Sequence, residues 1–165
     1  MIIVKKTGKL FFLKREYKCA LGKRGVKKNK KEGDGSTPTG VYRFTNVYYR
    51  KDRIKKIQSP LKKIIIKKNM IWCDDIKSSY YNRQVYLPAK FSHEKLYRKD
   101  NIYDIIVVLN YNTNPIIKNK GSAIFLHIAK KNYKKTEGCI ALKKIELLNI
   151  LKNLKKNTKI KICQN

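Results

Sequence analysis

Residues 127–142 read "HIAKKNYKKTEGCIAL". The stretch holds one of two histidines, His127, and one of four cysteines, Cys139, with eleven residues between them. The part before the connection is apolar: in "GSAIFLHIA", strict alternation puts Ala123, Phe125, His127 and Ala129 on one face of a strand. Ser122, Ile124, Leu126 and Ile128 fall on the other. The cysteine follows Gly138 in a "TEGC" turn. Beyond it "LKKIELLNILKNLKK" carries apolar residues at 142, 145, 147, 148, 151 and 154, which predicts a helix. A strand, a Gly-Cys turn and a helix in that order expose the thiol beside a helix N-terminus. Free N–H groups there lower a thiol pKa and hold an oxyanion. The four lysines of "AKKNYKKT" favour thiolate as well. Two readings of the residues stand side by side: a Cys139–His127 nucleophile and base, or a core histidine near a buried thiol.

Outward from this segment the chain alternates short β-type runs with turns. "MIIVKK", "KLFFLKR" and "YKCAL" open it, with a turn at Thr7-Gly8. "GKRGVKKNKKEGDGSTPTGVYRF" packs five glycines and a proline into a basic loop that enters a strand at Thr37-Pro38-Thr39-Gly40. Residues 22–35 read as a mobile lysine-rich loop, or as a lid on the substrate side. A lysine-rich segment at 50–70 leads to "MIWCDDIKSSYYNRQVYLP", then to "FSHEKLYRKDNIYDIIVVLNYNTNP". The latter offers a short helical or irregular piece and a strand over 102–109. "KIKIC" closes the chain as a strand. The expectation is a single domain over residues 1–165, mainly β, with one clear helix in the C-terminal half and no repeats.

Composition sets outer limits. The 165 residues are 42% hydrophobic, enough for a real core. Lys plus Arg number 41 against 11 acids, a formal +30. The excess is lysine (34, with 7 Arg), scattered along the chain, and accompanied by 21 Ile, 14 Asn and 11 Tyr. All four types have A/T-rich codons, so part of the charge reflects base composition. Such a surface favours weak binding of polyanions: nucleic acid, anionic lipid or an acidic wall polymer. A non-catalytic basic module of that kind is the reading from a different functional class. The four cysteines lie far apart in no CxxC pattern, so four reduced thiols are expected and no zinc site. No apolar run is long enough to span a bilayer. "MIIVKKTGKLFFL" lacks the form of a secretory signal, which points to the cytoplasm, another export route or a mature form.

"HIAKKNYKKTEGCIAL" resembles the active-site segment of the L,D-transpeptidase (YkuD-like) family, a histidine, a short connection and Ser/Thr-x-Gly-Cys. "ALGKRGVKKNKKEGDGSTPTGVYRF", "WCDD", "YNRQVYLP", "SHEKLYRKDNIYDIIVVLNYNTNP" and "GSAIFLHIA" resemble, in order, the blocks of a compact single-domain branch. The resemblance implies a β-sandwich or barrel-like fold, with Cys139 as acylated nucleophile and His127 as general base. Gly138 and the Cys139 amide would serve the oxyanion, and no metal or organic cofactor is implied. The substrate is a peptidoglycan or muropeptide stem peptide. Amine attack on a Cys139 thioester gives transpeptidation; water gives an L,D-carboxypeptidase that trims muropeptides. Residue 128 is Ile, so a backbone carbonyl is expected to orient the imidazole. Glu137 and Ala141 depart from the family pattern; with Ala141 in place of Arg or Asn, a lysine of the 130–135 loop is expected to anchor a substrate carboxylate. Thr136, Glu137, His93, Trp72 and Tyr111 are candidate substrate contacts, with Asp74, Asp75 and Asn112 nearby. The substrate points to the cell envelope, the N-terminus to the cytoplasm. On this reading Cys139 alone should alkylate fast at neutral pH.

Overall fold

The computed structural model describes residues 1–164. The strands are β1 (Ile2–Lys5), β2 (Lys9–Phe12), β3 (Arg15–Lys18), β4 (Val26–Lys27), β5 (Thr37–Pro38), β6 (Gly40–Tyr49) and β7 (Lys62–Ile65). They continue as β8 (Met70–Cys73), β9 (Gln84–Tyr86), β10 (His93–Lys95), β11 (Ile105–Leu109), β12 (Phe125–Ile128), β13 (Ile140–Leu142) and β14 (Lys159–Cys163). One α-helix, α1 (Lys144–Asn153), and a 3₁₀ turn at Lys131–Tyr133 complete the described elements.

The main sheet runs β13-β12-β11-β6-β14-β1-β2-β3, with β7 added to β6. Its two ends meet. The Ala20 N–H donates to the Ala141 carbonyl at 2.8 Å and the Ala141 N–H returns to Ala20 at 2.9 Å. A further bridge joins Gly22 to Thr136. The sheet is thereby a nearly closed barrel, and the segment that closes it runs straight into the Cys139 turn. Closure satisfies edge groups that an open sheet would leave to solvent.

Period-two alternation sorts β11 and β12 into two cores. Ile105, Val107, Leu109, Leu126 and Ile128 face the interior with Ile2, Leu10, Ile140 and Ile160. Ile106, Val108 and Phe125 face outward, against Met70 and Trp72 of a three-stranded sheet ordered β10-β8-β9. Both faces are covered, which is why "IIVVL" is continuously apolar. Cys139 belongs to this outer core.

Four expectations change. The strand over 102–109 starts only at Ile105, because Asn101–Asp104 forms a turn closed by the Asp104 N–H on the Asn101 carbonyl. The "SHEKL" piece is not helical: β10 pairs with β8, His93 opposite Cys73 and Glu94 opposite Trp72. Cys139 is not at a helix N-terminus. β13 intervenes, pairing parallel with β12, and α1 begins at Lys144. The segment 22–35 is ordered, tied by Gly22 N–H to Thr37 Oγ1 at 2.9 Å and by parallel β4–β5 pairing.

α1 drops Leu147, Ile150 and Leu151 into the interior core, while Ile145 is 76% exposed. The stripe therefore runs through 147, 150, 151 and 154 and leaves 145 out. Leu151→Ala should cost about 2–5 kcal/mol in urea unfolding, through lost burial and a residual cavity. Ile145→Ala should stay within about 0.5 kcal/mol.

Candidate functional site

Parallel pairing sets the site. Leu126 lies opposite Ile140 and His127 opposite Ala141. One residue earlier the Phe125 N–H donates to Cys139 Sγ at 3.4 Å, and the thiol donates to the Ala123 carbonyl at 3.0 Å. Ala123 adopts a positive φ of 52°, which turns the chain into β12. His127 is two residues along β12 on the same face as Phe125. Thiol and imidazole line one cavity of about 720 Å³ between the barrel's outer face, the small sheet and the loops at 30–33 and 130–138.

Both groups are buried, Cys139 at 8% and His127 at 5% exposure. Burial pushes the Cys139 thiol up to about 12, and the Glu94 charge adds to that; the Phe125 N–H and the Lys30 ammonium pull the other way. Burial pulls His127 down to about 4, opposed by its hydrogen bond to the Ile128 carbonyl. The resting pair is a neutral thiol and a neutral imidazole. The expected electropositive setting from the 130–135 loop is not what acts on the sulfur; the favourable cation is Lys30. His127 Nδ1 lies 2.9 Å from the Ile128 carbonyl oxygen. That contact requires the proton on Nδ1 and leaves the Nε2 lone pair as the basic position. The Tyr103 ring stands edge-on to the imidazole, centroids 5.3 Å apart, and its hydroxyl donates to Glu94 at 2.6 Å.

The turn before Cys139 is built by Thr136, whose hydroxyl donates to the Cys139 carbonyl at 2.6 Å and accepts from the Gly138 N–H at 3.1 Å. Gly138 has φ +148°, and a Cβ there would meet the Ser36 carbonyl oxygen at 2.8 Å and Lys30 Nζ at 3.4 Å. Only glycine fits. Beneath it Lys30, 4% exposed, pairs with Asp34 at 2.8 Å. Burial works against the Asp34 charge. Lys30, the Lys31 amide and the Ser36 amide and hydroxyl outweigh it and hold the carboxyl well below the usual range.

The other candidates divide. Thr136, Glu137 and His93 line the cavity, as do Asp74 and Ala141. The His93 ring nitrogen Nδ1 contacts the Phe91 carbonyl oxygen at 2.8 Å, and Glu137 is ion-paired with Lys23 at 2.8 Å. Lys130, Lys134 and Lys135 line it too. Trp72 and Tyr111 do not. The Trp72 indole packs edge-on to Phe125 at 5.0 Å and donates to Asn82 Oδ1 at 3.0 Å. Asn82 donates to the Tyr111 and Asn112 carbonyls and accepts from the Ala123 N–H. Trp72, Tyr111 and Asn112 thus form a scaffold that fixes the Ala123 turn. Lys30, Tyr103, Glu94 and Ser122 line the site without having been singled out. A lysine in a lysine-rich loop carries no distinguishing signal. The "HE" of "SHEKL" is the one sequence cue to Glu94.

A thiol near 12 has on the order of 10³-fold less thiolate at neutral pH than an unperturbed one. Iodoacetamide labelling at pH 7.4 should therefore modify half-buried Cys163 ahead of Cys139. Cys139 labelling should climb without a plateau to pH 11, read by peptide mass spectrometry, and a plateau below pH 8 would contradict the neutral pair. This reverses the fast alkylation expected from residue types alone.

A family model, the L,D-transpeptidase catalytic domain YkuD, matches residues 1–162. No curated protein matches the sequence. The family acts on peptidoglycan stem peptides. With a match across almost the whole chain and a barrel-like fold that agrees with it, the protein belongs to the YkuD family of L,D-transpeptidase catalytic domains.

Proposed function

We propose that the protein transfers acyl groups of peptidoglycan stem peptides through a Cys139 thioester. The observation that carries this reading is the shared cavity: a thiol and an imidazole whose Nδ1 is held by a backbone carbonyl, leaving Nε2 to take a proton. The carbonyl attacked joins the L-centre of the third stem residue to the next D-amino acid. As the S–C bond forms, the thiol proton passes to His127 Nε2 and the carbonyl oxygen becomes the oxyanion. The Gly138 N–H is engaged by Thr136, which leaves the Cys139 N–H as oxyanion donor. Lys30 adds positive charge beside it. Collapse breaks the C–N bond, and His127 returns its proton to the departing amine. An incoming amine then attacks the thioester and gives its proton to His127, which reprotonates the sulfur. Water in that place yields a free carboxylate.

The high thiol pKa makes substrate binding part of activation. A peptide filling the cavity displaces water, and attack and proton transfer occur together instead of from a stored thiolate. With Ala141 in the position of a side-chain anchor, Lys130, Lys134 and Lys135 are the groups that meet a substrate carboxylate. The comparisons give no support to polyanion binding by the basic surface, and it forms no part of this reading.

The test is mass spectrometry of the protein with a disaccharide-tetrapeptide, with and without an added D-amino acid. Loss or exchange of the terminal D-residue is expected, at least 10³-fold slower for Cys139→Ala and for His127→Ala. The product ratio separates transfer from hydrolysis. Conversion that survives Cys139→Ala would refute the thioester.

A further inference from the structure

Eleven acids face 41 cations in this chain, and six ion pairs engage six of those acids. The other five are Glu32, Asp74, Asp75, Glu94 and Glu146. Three of the five, Glu32, Asp74 and Glu94, line the cavity of the thiol and imidazole. Glu32 accepts from the Tyr81 hydroxyl and Glu94 from the Tyr103 hydroxyl; with so many lysines to choose from, three carboxylates without an ion pair among the described residues, gathered in one cavity, ask for a cause.

Register puts two of them together. Glu94 lies opposite Trp72 on one face of the small sheet, and Asp74 directly follows β8, its N–H donating to the Ser92 carbonyl at 3.3 Å. That face packs on Phe125, beside the sulfur. Ser122 lines the same cavity. It precedes Ala123, whose carbonyl accepts the Cys139 thiol, and it is 6% exposed. Its hydroxyl oxygen and Asp74 Oδ1 are the two buried side-chain polar atoms left without a partner among the described residues. Leaving buried acceptors unsatisfied is costly, and burial together with Asp74 and Glu32 already pushes the Glu94 carboxyl up. Of the cations that share the cavity, Lys30 is paired with Asp34 and Arg98 with Asp100, and none forms an ion pair with Asp74 or Glu94 among the described residues. No group of three or more His, Cys, Asp or Glu among the described residues is placed to hold a metal ion. The missing partner is then a cation that brings its own N–H donors.

We propose that the corner lined by Asp74, Glu94 and Ser122 binds a primary ammonium group of the substrate. This deepens the acyl-transfer reading and rests on it for the identity of the substrate. An ammonium offers three N–H donors to the unpartnered acceptors and relieves the repulsion between carboxylates; an amide or a carboxylate does neither. The group is carried by the acyl donor's third residue, or by the incoming amine, which binds as the ammonium and passes one proton to a corner carboxylate before it attacks; the lysines at 130–135 complement it as the carboxylate-binding part of the cavity.

The test measures binding alone, by calorimetry on Cys139→Ala protein. The probes are Nα-acetyl-γ-D-glutamyl-L-lysyl-D-alanine, its Nε-acetyl-lysyl form, and glycinamide. The free-ammonium lysyl probe should bind at least tenfold tighter than the acetylated one. Asp74→Asn, added to Cys139→Ala, should bring that ratio below threefold, and Ser122→Ala should lower it independently should Asp74→Asn fold poorly. An Asp74-dependent lysyl preference places the ammonium on the acyl donor; Asp74-dependent binding of glycinamide places it on the incoming amine. Equal affinity for the lysyl pair together with no Asp74-dependent glycinamide binding overturns the proposal. Because no turnover is required, that result leaves the thioester chemistry standing, and absence of turnover leaves the ammonium corner standing.

Discussion

The parallel pairing of β12 with β13 is the contact on which the rest depends. It sets His127 beside Ala141 and brings the Phe125 N–H to Cys139 Sγ, so one strand carries the imidazole and also holds the thiol. A parallel pair needs a crossover, and the 3₁₀ turn and "TEGC" loop supply it in eleven residues. The loop is then pinned from outside, where the barrel closes through Ala20, Leu21 and Lys23 onto Ala141 and Thr136. A one-residue slip at that closure would turn the thiol to the interior core.

Burial in this arrangement costs the Cys139 thiol its charge. A thiol near 12 and an imidazole near 4 put proton transfer uphill by on the order of 10 kcal/mol before attraction between the products is counted. The site rests neutral and inert, with its thiol hydrogen bonded to Ala123 instead of poised on the base. On the proposed reading, reactivity waits for a substrate that brings its carbonyl to the sulfur. Lys30 shows the same balance: nearly full burial is tolerated because Asp34 and its hydrogen bonds neutralise it.

Local pattern carried the parts of the fold that are local. Alternation in "IFLHI" placed His127 on the face of Phe125, the absence of a side-chain acceptor at Ile128 pointed to a carbonyl, and the late helix sits where its period put it. Long-range pairing was beyond it. "IAL" reads as the start of the helix by composition, and only the partner strand β12 makes it β13. The Asp74–Glu94 corner depends on β8 meeting β10, and the role of Trp72 and Tyr111 on Asn82, a hub joining three loops. Lys30 is invisible among its neighbours because its pairing partner, not its identity, sets it apart.

The central claim is that the proposed pair, Cys139 and His127, rests uncharged, with the proton on His127 Nδ1. Imidazole ¹⁵N NMR of selectively labelled protein measures this directly. The account predicts a neutral Nδ1–H ring at pH 7 that titrates near pH 4, in a region well below that of an ordinary histidine. A doubly protonated ring at pH 7, which becomes neutral only when Cys139 is replaced, would reveal a preformed thiolate–imidazolium pair and contradict it.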